Sequence, residues 1–180
     1  MSFVVALLGA ECTGKSSLTQ ALGERLRDVP AATVPEHLRT WCLAHGRTPR
    51  QFEQAHIAAE QHRQIDAAAA QCPLVVADTT ALMTALYSQH YFQDDSLMPA
   101  ALQRQRSLAL TLLCDPEGIA WQADGWLRDG DGTRQRTHAE LQTLLTAHAL
   151  PFVTLRGPLA HRVDEAEALI RDQVLQPPRG

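Results

Sequence analysis

Phe3-Val-Val-Ala-Leu-Leu8 runs directly into Gly9-Ala-Glu-Cys-Thr-Gly14-Lys15-Ser16-Ser17, and the fold turns on this junction. Consecutive apolar residues ended by a glycine read as a short strand buried on both faces, the kind found in parallel sheets. Beyond Ser17, the residues Leu18, Ala21, Leu22 and Leu26 recur at i, i+3, i+4 and i+8, one face of a helix. Between them, Gly9 to Ser16 matches G-x-x-x-x-G-K-[ST] at each fixed position. By average residue usage the pattern arises by chance in roughly one chain of this size in a few hundred. The strand before it and the helix after it make it a phosphate-binding loop (P-loop) rather than an incidental turn.

The physics of such a loop is local. Glycines let the backbone wrap an anion while successive N–H groups point inward, and the positive end of the helix dipole faces the same spot. Lys15 supplies a compact charge for terminal phosphates, and the Ser16 hydroxyl can ligate Mg²⁺. Gly9, Glu11, Cys12, Thr13, Gly14, Lys15, Ser16 and Ser17 are therefore the expected nucleotide-binding residues. Lys15 is the only lysine in the chain, against fifteen arginines. Whatever bias favoured Arg, an ammonium was kept at the one place where a point charge is needed.

The rest of the chain repeats the strand–helix alternation. Ala32 to Val34, Leu74 to Ala77, Leu108 to Leu113 and Phe152 to Leu155 read as strands. Gln51 to Gln71, without Gly or Pro, reads as a long helix stopped by Pro73. Further helices are expected around Leu82, Ala85 and Leu86, after Pro99, and along Val163, Ala166, Ile170 and Val174. Thr137-x-x-Glu140 reads as a capping box that opens a helix, preceded by a Gly/Asp/Arg loop from Trp126 to Gln135. The expected fold is α/β: one P-loop NTPase domain over residues 1–180, a five-stranded parallel sheet flanked by helices.

Composition sets bounds. With 180 residues, 45% hydrophobic and 20% charged, the chain can bury a real core. A net charge of −4 without a basic block argues against nucleic acid as partner, and no apolar run is long enough to span a bilayer. The absence of Asn removes the Asn-Lys-x-Asp guanine reader of GTPases. Cys12, Cys42, Cys72 and Cys114 form no C-x-x-C pair, which reads as free thiols in a reducing cytoplasm. The apolar start lacks the basic flank and cleavage pattern of a signal peptide.

Ligands of open parallel sheets bind at the carboxyl ends of the strands. Glu36, Asp78 and Asp115 follow strands two, three and four. Glu36 can take a proton from an attacking hydroxyl or simply pair with Arg39 on the surface. The reading that strand two ends beside strand one places Glu36 opposite the terminal phosphate. Asp78 can hold Mg²⁺ through water, grip a substrate, or cap a helix. Asp115, before Pro116, reads as a turn former. Arg128, Arg134 and Arg136 are either lid cations that meet developing charge or a solvated loop.

Five segments, in this order and spacing, resemble the P-loop kinase domain of bacterial ribosylnicotinamide kinases of the NadR type. They are Gly9-Ala-Glu-Cys-Thr-Gly-Lys-Ser-Ser17, Val34-Pro-Glu-His-Leu-Arg39, Ile57-Ala-Ala-Glu-Gln61, Ala77-Asp-Thr-Thr80 with Met83-Thr84, and Trp121-Gln-Ala-Asp-Gly125 with Arg128. The resemblance implies Mg-ATP-dependent phosphorylation of the 5′-hydroxyl of a nicotinamide nucleoside in NAD biosynthesis, by a stand-alone kinase domain. It also implies the nucleotide-monophosphate-kinase sheet order and a lid over about 124–138. Lys15, Glu36, Arg128, Arg134 and Arg136 would be catalytic. Glu36, Arg39, Gln61, Asp78, Thr79, Trp121 and Asp124 would face the substrate, and Ser16 and Asp78 the metal. Two positions depart from the family. The stacking aromatic expected before Glu36 is Pro35, and a second, after Gln61, is His62; Trp41 and Trp121 are candidate substitutes. Other readings are a kinase for another nucleoside or small alcohol, and a regulatory ATPase module.

Overall fold

The five strands differ in burial, and burial sets their order. Leu74–Asp78 (β3) and Leu110–Cys114 (β4) are buried at each residue, and Phe3–Leu8 (β1) over its last four. Ala31–Val34 (β2) is half exposed, and Val153–Leu155 (β5) is short. The sheet is parallel with the order β2-β3-β1-β4-β5, so the apolar strands are central and the weaker two are edges. The structure, a computed structural model, describes residues 2–122 and 130–175.

The helices are Lys15–Arg25 (α1), His37–His45 (α2), Gln51–Gln71 (α3), Ala81–Phe92 (α4), Met98–Arg106 (α5), Asp131–Ala147 (α6) and Leu159–Leu175 (α7). Alternation along β1 sorts them onto two faces. Val5 and Leu7 point into a core with Leu18 and Leu22 of α1 and Val163, Ala166 and Ile170 of α7. Ala6 and Leu8 point the other way, into a core with Leu82 and Leu86 of α4, Leu102 of α5 and Leu141 and Leu145 of α6. Ile65 of α3 covers Val34, Val75 and Ala77 at the β2 edge. Among the described residues no helix is long and apolar enough to cross a membrane.

Three expectations need correction. Strand two does not lie beside strand one: β2 pairs with β3, register Val34↔Ala77, and β3 separates it from β1. An edge strand with this little buried surface cannot take the central place. The helix expected to open at Thr137 begins at Asp131 instead. Thr137 is 3% exposed and lies inside that helix, so its hydroxyl caps nothing at the N-terminus. The segment after Glu36, given no helix, forms α2, with Leu38, Trp41 and Cys42 against Ile57 and Gly46 closing it in the left-handed region. The Trp126–Gln135 loop and the 124–138 lid lie partly outside the described residues; from Asp131 onward the chain is helical.

Leu112 of β4, fully buried against the α1/α7 layer, tests this core. Leu112→Ala is expected to cost about 2–5 kcal/mol, read from urea unfolding. A loss well under about 1 kcal/mol would mean that the layer does not pack as described.

Candidate functional site

The loop after β1 sits at the centre of the sheet's carboxyl edge, between the ends of β3 and β4. Gly9 has φ 154°, and a Cβ there would come within 2.8 Å of Thr13 Oγ1 and 2.9 Å of the Cys114 carbonyl oxygen. Gly14 stands in the left-handed region, φ 79°, as the residue before α1, and Cys12 also has positive φ, 53°. The loop is thus wound tightly, and a side chain at Gly9 would force it open. Lys15 is 8% exposed, its Nζ donating to the carbonyls of Gly9 at 2.9 Å and Ala10 at 2.8 Å. Thr13 Oγ1 donates to the Ala10 carbonyl at 2.9 Å. Burial pushes the thiol of Cys114, behind Gly9, up to about 11, so it is no nucleophile at neutral pH.

Ser16, in the first turn of α1, donates through Oγ to Asp78 Oδ2 at 2.6 Å. Asp78 is 3% exposed, and its Oδ1 is buried without a hydrogen-bond partner among the described residues. A carboxylate oxygen left in that state is costly, and a cation with its water shell would satisfy it. The Ser hydroxyl plus one carboxylate is the sparse donor set that suits Mg²⁺, which keeps several waters. Asp78 is not a helix cap. Thr80 holds that position in α4, accepting from Leu82 N at 3.3 Å, and its hydroxyl donates to Gln105 Oε1 at 2.8 Å. Between them, Thr79 has φ 70°, a strained value for a β-branched residue, fixed by its N–H on the Leu7 carbonyl at 3.0 Å. Its buried Oγ1 has no hydrogen-bond partner among the described residues.

A cleft of about 670 Å³ opens from Ser16 and Asp78 along α1 toward the start of α2. Glu36 and Arg39 line it, with Pro35 and Leu43 as apolar wall. This is the size of a small-molecule site. Glu36, half-buried, occupies the N-cap position of α2 but makes no side-chain cap bond. Gln61, expected to face the substrate, is 2% exposed and directed at the backbone instead. Its Oε1 accepts from His37 N at 2.7 Å and its Nε2 donates to the Pro35 carbonyl at 3.3 Å. It therefore fixes the turn that carries Glu36.

Of the lid arginines, Arg134 is built into the structure. Arg134 is 4% exposed on α6; it donates to the carbonyls of Cys12 at 3.1 Å and Ile119 at 3.0 Å and pairs with Asp131. Its guanidinium lies 5.5 Å from the ring centre of Trp121. Arg136 is exposed on the same helix, and Arg128 and Asp124 lie outside the described residues. Trp41 is 8% exposed and stacks on His45 at 3.9 Å, away from the cleft lining. Asp115 makes the expected turn, accepting from Glu117 N at 2.9 Å, and also binds Arg156 Nε at 3.1 Å. Sequence reasoning missed Arg162, buried on α7 with a bond to the Thr13 carbonyl. The one signal was its place beside Val163, on the apolar edge of its helix.

Comparison with known proteins agrees with this architecture. The AAA-domain family profile matches residues 4–162. The solved structure of NadR protein in complex with NAD and AMP-PNP superposes with a TM-score of 0.77 at 19% identity, covering 99% of this chain and 51% of that one. NadR protein in complex with NR gives 0.79 at 22% identity, with 98% and 50% covered. The chain thus spans about half the length of these NadR chains, and the likeness establishes the fold. No curated protein matches in sequence.

Gly9→Ala isolates the loop's winding. The added methyl collides with the Thr13 hydroxyl and the Cys114 backbone. Nucleotide affinity in calorimetric titration is expected to fall at least about tenfold, a cost of 1.4 kcal/mol or more, while far-ultraviolet circular dichroism stays unchanged. Wild-type affinity would show that the loop tolerates opening.

Proposed function

The chain belongs to the AAA-domain family, and we propose that within it the protein is a small-molecule kinase that transfers the γ-phosphoryl group of Mg-ATP to a nucleoside hydroxyl. The acceptor we propose is nicotinamide riboside, giving nicotinamide mononucleotide. One observation carries the reading: a single cleft runs from the phosphate-loop serine and its aspartate, Ser16 and Asp78, to Glu36 and Arg39. A switch ATPase needs the first pair but no acceptor pocket with a carboxylate in it. The NadR structures of the same fold, one in complex with NAD and AMP-PNP and one with NR, support a reading with a nucleotide and a nucleoside ligand.

In this reading the inward N–H groups of the loop bind the phosphates, and Lys15 exchanges its bonds to the Gly9 and Ala10 carbonyls for phosphate oxygens. Ser16 and Asp78 would hold Mg²⁺. Magnesium held there would supply charge neutralisation to the transferring phosphoryl group. Glu36 orients the acceptor hydroxyl and accepts its proton. Gln61 keeps the Glu36 turn in place, and Arg39 offers a donor to the acceptor's other oxygens. Arg136 and Arg128 would meet the charge of the transferred group. A second acceptor class is favoured by a specific residue: Pro35 stands where an aromatic would stack on the base, which suits another nucleoside or small alcohol.

Glu36→Gln keeps shape and hydrogen bonding but cannot take a proton. Its kcat is expected to fall about 10²–10⁴-fold, with ATP affinity nearly unchanged. Steady-state kinetics with the acceptor found by screening against labelled ATP provides the measurement, and a loss of a few-fold would make Glu36 a surface partner of Arg39. Asp78→Asn is expected to raise the magnesium concentration needed for half-maximal rate, with metal-free nucleotide binding little altered. An unchanged magnesium dependence would remove Asp78 from the metal site.

A further inference from the structure

Three chain segments meet at the guanidinium of Arg162, which at 2% exposure is among the largest fully buried side chains. Nε donates to the Gly157 carbonyl at 2.7 Å, after β5. Nη2 donates to the Asp115 carbonyl at 2.7 Å and the Glu117 carbonyl at 3.4 Å, after β4. Nη1 donates to the Thr13 carbonyl at 3.2 Å, inside the phosphate loop.

The last contact has a consequence beyond packing. A trans peptide is planar, so the carbonyl of one residue and the N–H of the next point in opposite directions. Holding the Thr13 carbonyl outward turns the Gly14 N–H toward the inside of the loop. Arg134 does the same one peptide earlier: its bond to the Cys12 carbonyl turns the Thr13 N–H inward. Lys15 holds the Gly9 and Ala10 carbonyls, but it must let go of them to reach a phosphate. Arg162 has no such second task, because its donors are committed to backbone on the far side of the loop.

We propose that Arg162 is a positioning residue of the phosphate site, setting the Thr13–Gly14 peptide plane so that the Gly14 N–H is ready for a phosphate oxygen before any ligand arrives. This rests on reading the loop as a phosphate site. It makes the β5–α7 connection, through Gly157 and Arg162, a working part of nucleotide binding rather than a distant packing element.

Arg162→Lys tests it. The variant keeps the charge and most of the stem, but one ammonium cannot reach the Thr13, Asp115 and Gly157 carbonyls as the planar fork does. Calorimetric titration with inorganic tripolyphosphate is expected to show binding at least about tenfold weaker, that is about 1.4 kcal/mol. Leu112→Ala serves as control: it destabilises the core without touching the loop and is expected to bind within about twofold of wild type, under about 0.5 kcal/mol. That contrast is what a purely structural role of Arg162 would not produce. A folded Arg162→Lys that binds like wild type overturns the proposal. If the variant does not fold, the wild type decides by nuclear magnetic resonance. Slowly exchanging Arg162 guanidinium protons and a Gly14 amide that shifts downfield with tripolyphosphate support the proposal; rapidly exchanging guanidinium protons in the bound state overturn it. A wild type that binds no tripolyphosphate fails earlier, at the phosphate site itself, and takes this proposal with it.

Discussion

A loop that offers its N–H groups to an anion must send its carbonyls the other way, into the protein, because the peptide plane leaves no alternative. Buried carbonyls need donors. Here Lys15 serves Gly9 and Ala10, Arg134 serves Cys12, and Arg162 serves Thr13. All three cations are at most 8% exposed. Burying that much positive charge is expensive without partners, and the carbonyl dipoles provide them. Arg134 and Arg162 concentrate positive charge behind the loop, where it favours a polyanion in front. Much of the remaining structure places those donors: α6 carries Arg134, α7 carries Arg162, and the short edge strand β5 brings Gly157 to the second.

The Ser16–Asp78 end of the cleft depends on a different constraint. Asp78 closes a strand buried on both faces, and the usual use of an acidic residue there is to cap the next helix. The structure assigns capping to Thr80, two residues on, and reaches it through Thr79 in the left-handed region. A strained β-branched residue costs about 1–3 kcal/mol. The Thr80–Gln105–Thr111 hydrogen-bond chain, buried across α4, α5 and β4, offsets it by fixing the turn. Asp78 is thereby left with one oxygen on Ser16 and the other unpaired among the described residues.

What the sequence reveals follows the range of the interactions involved. The β1–loop–α1 junction is legible because strand pattern, glycine spacing and helix stripe are all local, and α3 matches at both ends because nothing interrupts it before Pro73. Asp78 and Glu36 are legible as strand-end acids. Legibility fails where the deciding partner is distant. Thr137-x-x-Glu140 has the form of a capping box, but Gly130 and Asp131 start the helix earlier. Arg162 is one of fifteen arginines, and its convergence on three segments is not written in its neighbours. Gln61 reads from the resemblance as a substrate contact, yet its side chain bonds the backbone of His37 and Pro35.

That last arrangement bears on acceptor choice. Gln61 fixes the backbone on both sides of Glu36, whatever occupies the cleft. The wall beside Glu36 is Pro35 and Leu43, with no aromatic ring among the described lining residues. A lost stacking contact is worth about 0.5–1.5 kcal/mol, roughly two- to twelvefold in affinity. Orientation and proton transfer at the hydroxyl are worth about 10²–10⁴-fold in rate. The larger effect lies with the residues that address a hydroxyl, the smaller with those that address a base. Under the proposed kinase reading, selection in this cleft would rest first on whether an acceptor can bring a primary hydroxyl to Glu36, and only secondarily on the ring attached to it.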